Sequence, residues 1–337
     1  MVSLTEASKY PFTITASEKM KEFQVSLDML EKEHRTVLDR AVERIKESIM
    51  SGTIRNSAKT AKDELLSFSV AFMLVEYIDD IYLKRRWAFA EADRAHTIMA
   101  KDVKDNIYVL ATDQFKWNMK KEQVEYDGTI YDYQIYFTDY LRNSVAFNEP
   151  KWKLVNRVMN NGFLALSHGE TVRLLRTEVY ELLMGRLIVE RSYAIPRFLQ
   201  GEAMALERYL LDNKPEYTDE LPLNMEAIPP CIAKILRRLQ RSFNLSHTER
   251  FALTSFLLKI GMNVKTVIQL YNVSPDFKED LTSYQVKQIK ERDYTPPACA
   301  SMKTNRLCED DGTVYCKKAK HPLSHYAMKN FTLEKKK

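Results

Sequence analysis

Glycine is scarce in this chain of 337 residues: there are 8, against the roughly 7% of average usage. Neither GxGxxG nor GxxxxGKS/T occurs, so dinucleotide sites of the Rossmann kind and Walker phosphate loops lack their sequence signal. Long apolar runs are missing too. The longest, LLSFSVAFMLV at 65–75, lies between Glu64 and Glu76 and is too short to cross a bilayer. The first fifteen residues include Glu6 and Lys9 and hold no apolar stretch of the secretory type. A soluble intracellular protein is expected, mostly helical, with room for two domains. Cysteine is rare, four in all, and in a reducing compartment four thiols point to metal before disulfides.

What is present is unevenly spread. Positions 227–337 carry 20 Lys and Arg against 10 Asp and Glu, whereas 1–226 carry 31 against 36. A basic C-terminal part joined to a mildly acidic N-terminal part suits a polyanion partner for the former, although a solvated lysine-rich surface has the same composition.

Residues 17–50 read as one long amphipathic helix, with Leu27, Leu30, Val37, Leu38 and Val42 near helical spacing. A second, largely apolar helix is expected over 58–83, and the helical pattern continues over 84–103. From 105 to 170 short β-branched and aromatic runs replace it. Ile130, Tyr133, Ile135 and Phe137 partly alternate after the turn signal Asp127-Gly128, so a small α/β insertion is expected. It ends where Ser167 and Glu170 form a capping pattern. The expected organisation is a helical N-terminal domain over 1–211 carrying that insertion, an acidic, proline-containing linker over 212–226, and a helical basic domain over 227–337.

Three cysteines, Cys299, Cys308 and Cys316, fall within 18 residues, and Cys231 lies 68 positions before the first of them. No Cys-x2–4-Cys pair of the zinc-knuckle type exists. Prolines precede two of the four, in PPCIAKILRRL and YTPPACASM. Spacing alone leaves buried thiols, a zinc ion and an iron–sulfur cluster open.

The wording of these segments goes further. PPCIAKILRRL, NLSHTERFALTSFLLKIGM, SPDFKEDLTSYQVKQI, YTPPACASMKTNRLC and CKKAKHPLSHY, in that order, resemble the iron–sulfur domain of the large subunit of archaeal–eukaryotic DNA primases. KYPF, RRWAFAEADRA, IYFTDYL and KWKLVNRVMNNGFLALS extend the resemblance over nearly the whole chain, in the shorter archaeal form. The resemblance implies that Cys231, Cys299, Cys308 and Cys316 hold a [4Fe–4S] cluster in a helical C-terminal domain. It implies a heterodimer with a catalytic small subunit, a single-stranded DNA template, an RNA or DNA primer, nucleoside triphosphates, no membrane, and a place in the cytoplasmic, nucleoid-associated replication machinery.

Ser246 and Glu249 form a capping box that starts a helix ending near Gly261. His247 then lies in the first turn with Arg250 one turn on, where free N–H groups favour anions. By the resemblance this pair holds the 5′-triphosphate of the initiating nucleotide or primer. The family pattern has further basic residues before this helix; Asn244 and Ser246 stand there, and Lys259 is a possible substitute. Arg241, Tyr284, Lys317, Lys318 and His321 are candidates for template or primer, His321 equally for a brace beside the cysteines. Arg237 and Arg238 face phosphate or solvent. Trp117, Tyr133 and Trp152 are expected either on the small-subunit docking face or in the core.

Nucleotide joining needs paired carboxylates for divalent ions. Asp79-Asp80, in an apolar helix, and Asp310-Asp311, in a loop between two cysteines, are short acidic pairs, and neither makes a convincing site. That agrees with a non-catalytic regulatory subunit. Two alternatives remain at this point: an iron–sulfur enzyme of DNA repair, and a zinc-stapled nucleic-acid-binding scaffold.

Overall fold

The structure is a computed structural model describing residues 3–32, 34–145, 147, 149–188, 195–214 and 224–334. It divides into two compact units, one of residues 1–145 and 154–214, the other of 146–153 and 215–337. The second unit therefore takes in a short stretch from within the expected insertion. Most of the expected linker, residues 215–223, lies outside the described residues.

The first unit begins with α1 (Leu4–Lys9), α2 (Ile14–Glu22), α3 (Leu27–Lys32) and α4 (Arg35–Ser51). The single helix expected over 17–50 is thus three. Gln24 just after α2 has φ +50, a left-handed turn that stops helix propagation. The expected 58–83 helix is also divided, into α5 (Ala61–Ile78) and α6 (Ile81–Met99). Asp79, at φ +56, ends α5, and Asp80 caps α6 by accepting from the Leu83 N–H at 2.9 Å. Asp79 also pairs with Lys84, and Asp80 with Lys214 at 2.6 Å, so this carboxylate pair has structural work.

Four strands within the expected insertion form an antiparallel sheet of order β1 (Met119–Lys120), β4 (Tyr133–Tyr136), β6 (Phe163–Leu166), β5 (Met159–Asn160). β2 (Val124–Tyr126) and β3 (Thr129–Tyr131) make a hairpin over Asp127-Gly128, both with positive φ. α7 (Lys104–Val109) precedes the sheet and α8 (Phe137–Ser144) follows β4. The Ser167–Glu170 box opens α9 (His168–Ile188), with the Glu170 N–H on Ser167 Oγ at 3.3 Å and the Ser167 N–H on Glu170 Oε2 at 3.0 Å. α10 (Arg197–Asn213) completes the unit.

The core of this unit lies between α4, α5, α6 and α9, around Leu38, Ile45, Leu65, Leu74, Leu83, Trp87, Leu175 and Val179. A buried ion network crosses it. Arg44, fully buried, donates from both Nη2 and Nε to Glu91 (2.8 and 2.9 Å) and meets Glu64, which also binds Arg94 at 2.7 Å. Trp117 and Tyr133 are both core residues, which corrects the docking-face alternative for them. The Trp117 indole donates to Glu178 of α9 at 2.9 Å and Tyr133 to the Lys104 carbonyl at 3.1 Å, so their polar ends are satisfied inward. Among the described residues no helix is long and apolar enough to cross a membrane.

The second unit holds α11 (Pro230–Gln240), α12 (His247–Lys259), α13 (Val264–Leu270), α14 (Glu279–Glu291), α15 (Cys299–Thr304), α16 (Val314–Lys318) and α17 (Pro322–Glu334). Trp152 belongs to this unit and is buried as well, its indole donating to Glu149 at 2.8 Å. α12 is the hub: Ala252, Leu253, Phe256 and Leu257 are fully buried among α11, α13, α14 and α17. That packing holds its first turn rigidly at the surface, and the first turn carries the candidate site.

Candidate functional site

The capping box at the start of α12 forms as expected. The Glu249 N–H donates to Ser246 Oγ at 3.3 Å and the Ser246 N–H to Glu249 Oε2 at 2.8 Å. His247 is thereby fixed at the exposed first helical position, and Arg250 follows on the same edge. Together with Phe251 and Thr254 they form one side of a cleft of about 390 Å³. Tyr284, Gln285, Gln288, Ile289 and Arg292, from α14 and its C-terminal cap, line it as well, with Tyr271 and Tyr294.

Arg250 is held in a socket. Its Nη2 donates to Ser274 Oγ at 2.9 Å and to Asn244 Oδ1 at 3.4 Å, and pairs with the Asp276 carboxylate. Its Nε donates to the Leu245 carbonyl at 3.2 Å. The guanidinium lies 5.4 Å from the centre of the Tyr271 ring, whose hydroxyl donates to the Arg250 carbonyl at 3.1 Å. Complete burial pushes the Tyr271 phenol up to about 12, so it is a neutral donor at every physiological pH. These contacts leave Nη1 as the end of the fork without a hydrogen bond among the described residues, while side-chain exposure is only 16%. An arginine so immobilised presents its donors with little ordering left to do on binding.

Thus His247, Arg250 and Tyr284, proposed from separate stretches of sequence, meet in one cleft. The remaining candidates do not line it. Arg241 is exposed at the C-terminal cap of α11, and Lys317 and Lys318 are exposed on α16. His321 is a brace: its Nδ1 accepts from the Leu323 N–H at 3.2 Å, which leaves Nε2 to donate to the Pro296 carbonyl at 2.8 Å. Lys259 pairs with Asp293 at 2.8 Å and is no substitute for the absent basic residues. Arg238 meets Glu249 at 3.4 Å; Arg237 approaches Glu309 at 3.9 Å. Sequence reasoning missed Tyr271, Asp276, Arg292 and Tyr294. Tyr294 lies in the YTPP text beside the cysteines, whereas Arg292 reads as one charge in a solvated ERD run.

The cysteines come from four separate places. Cys231 and Cys299 lie in the first turns of α11 and α15, Cys316 in that of α16, and Cys308 in the loop after α15. Cys231 is buried, and that burial, with Cys308 and Cys299 nearby, pushes its thiol up to about 12. Burial also raises Cys299, with Cys308 and Asp310 adding to it, and raises Cys316, on which Asp311 and Asp310 act. Cys231, Cys299 and Cys308 thus act on one another, and Cys316 shares the Asp310 carboxylate with Cys299. Among the described residues the acid and sulfur atoms that gather within 4.8 Å of one another are those of Asp310, Asp311 and Cys316. Both carboxylates there serve the local turn: Asp310 accepts from the Gly312 N–H at 2.9 Å and Asp311 from the Thr313 N–H at 3.0 Å.

Comparison with known proteins gives this arrangement a context. Residues 221–336 match the family described as the C-terminal domain of the eukaryotic and archaeal DNA primase large subunit. The DNA primase large subunit PriL of Methanosarcina mazei is 33% identical over 97% of this chain and 89% of its own length. That of Methanosarcina acetivorans is 34% identical over 97% and 88%, and that of Halobacterium salinarum 30% over 96% and 92%.

The chain belongs to the DNA primase large-subunit family. Both the cleft and all four cysteines lie in the matched C-terminal region. Family membership sets aside the DNA-repair alternative and identifies the chain as a component of a primase.

Proposed function

We propose that this chain is the non-catalytic, regulatory subunit of a heterodimeric primase, and that its cleft holds the 5′-triphosphate of the initiating nucleotide and of the growing primer. The observation that carries this reading is the meeting of His247, Arg250 and Tyr284 at one helix start, where positive dipole and a pre-set guanidinium favour a polyanion. An aromatic ring beside phosphate-binding groups suits a nucleotide, whose base stacks while its phosphates are neutralised. Lys317, Lys318 and Arg241, exposed outside the cleft, would add salt-dependent template contacts. The partner small subunit would supply the carboxylate-held metal ions. The large subunit would hold template and first nucleotide in place, which turns a multi-body encounter into a nearly unimolecular one.

Cys231, Cys299, Cys308 and Cys316 are the residues that would hold a [4Fe–4S] cluster. The donor set is compatible with that group: all four donors are sulfur, and Cys231, Cys299 and Cys308 lie close enough to act on one another's charge. When bound, the cluster would cross-link four points of the domain, tying folding to metal.

Arg250→Ala tests the cleft. Formation of the first dinucleotide by the reconstituted heterodimer should fall about tenfold or more, from the loss of charged hydrogen bonds, while extension of a ready-made primer lacking a triphosphate is spared. Equal loss in both assays would overturn the reading. Iron, sulfide and zinc analysis after anaerobic purification tests the cluster: about four irons and four sulfides per chain support it, and about one zinc does not.

A further inference from the structure

We propose that Arg292 is a second phosphate-binding residue of the cleft and supplies most of its attraction for highly charged ligands. This rests on the triphosphate reading and names a residue that the primase resemblance left without a role.

The two arginines of the cleft are matched differently. Arg250 has the Asp276 carboxylate against it, so its pair contributes directed donors but little net charge. Arg292 lines the same cleft from the C-terminal cap of α14 and is exposed. Among the described residues no carboxylate lies within ion-pair distance of it. Its hydrogen bond goes instead to the Tyr294 hydroxyl at 3.3 Å, and Tyr284 lines the same cleft. The neighbouring Asp293 is taken by Lys259.

The surroundings of Arg292 also suit a nucleotide. Tyr284 and Tyr294 are 63% and 42% exposed, far more than tyrosines that serve the core, and Tyr294 is seated edge-on against Phe251 of α12 at 5.7 Å. A cation and two exposed phenol rings lining one cleft offer phosphate contact and a stacking surface together. A guanidinium has five donors in a rigid fork, and Tyr294 occupies one. A triphosphate carries more charge than one already neutralised arginine can match, and Arg292 provides the uncompensated partner.

The experiment uses the full-length chain, purified without oxygen, and a fluorescent RNA primer annealed to a DNA template. One version carries a 5′-triphosphate and the other a 5′-hydroxyl, and affinity is read by anisotropy over a range of salt. For Arg292→Gln the triphosphate preference should fall about tenfold, with the salt slope for the triphosphate primer reduced by about one. Affinity for the hydroxyl primer should change little, and Arg292→Lys should recover part of the preference. If Arg250→Gln reduces the preference and Arg292→Gln leaves it intact, the role of Arg292 is overturned while the cleft reading stands. If neither change alters the preference, the cleft reading fails and the inference falls with it. Equal weakening for both primers would make Arg292 a general backbone contact and would also overturn the proposal.

Discussion

Arginines in the two units meet carboxylates at similar distances and to different ends. In the first unit Arg44 is fully buried between Glu91 and Glu64, and Arg94 closes the network through Glu64. In the second, Arg250 is paired with Asp276 at the edge of a cleft and Arg292 beside it meets a phenol. Burial fixes the difference. A charge removed from water must be answered inside the protein, so the first network is closed and bears on stability. A guanidinium left at a wet edge keeps donors for a ligand, and its pairing governs orientation. The residue type is common to both; accessibility separates a brace from a binding group.

Opening the closed network tests that contrast most severely. Glu91→Ala leaves Arg44 buried with its bidentate partner gone, and the first unit should lose about 3–5 kcal/mol in denaturant unfolding. A loss below about 1 kcal/mol would show that water reaches Arg44 and that the two arginine environments differ less than their exposures indicate.

A smaller effect is expected from acid. Burial alone would raise the Asp102 carboxyl, but hydrogen bonds from Lys9 Nζ (3.1 Å), the Tyr10 hydroxyl (2.9 Å), the Val103 N–H (2.9 Å) and Asn106 (2.9 Å) outweigh it and hold it below its ordinary value. Its contribution is therefore complete above the unfolded-state value of about 3.9 and is lost as pH falls through the lower folded-state value. Thermal melts from about pH 6 down to about pH 2 should show the first unit losing stability below about pH 4. Asp102→Asn should lower the neutral-pH melting point and flatten that acid limb. An unchanged limb in the variant would exclude Asp102 as its source.

The smallest effect concerns the start of α12. Ser246→Ala removes one half of the capping box and should cost the second unit about 1 kcal/mol, read as a shift in its denaturation midpoint. Because His247 is positioned by that cap, the triphosphate preference should fall too. A stability loss with an unaltered preference would separate the cap from the binding role.

Local chemistry was legible where it acts over three or four residues. Ser246 with Glu249, Ser167 with Glu170, and Asp127-Gly128 read correctly because capping boxes and tight turns are closed by neighbours in sequence. Helix length was not. The amphipathic pattern over 17–50 runs on through Gln24, and nothing in the side-chain period reveals a backbone turn there. The Asp79-Asp80 step is similar: two acids in an apolar run look like an interruption of one helix, and they are the end of one and the cap of the next. Trp117, Tyr133 and Trp152 were ambiguous because an amphipathic aromatic serves a surface or a core equally well until its polar end finds a partner.

Composition and wording by themselves determined the helical character, the basic C-terminal part, the capped start at Ser246 and the family, because periodicity, charge and contiguous motifs are properties of the chain as written. Tertiary structure alone decided which charges are answered. Asp276 reaches Arg250 across 26 positions, Asp293 is drawn to Lys259 across 34, and Arg292 is left facing the cleft with Tyr284 and Tyr294. Pairing of charges depends on distance and burial in space, and both are set only when α12 and α14 pack on the same core.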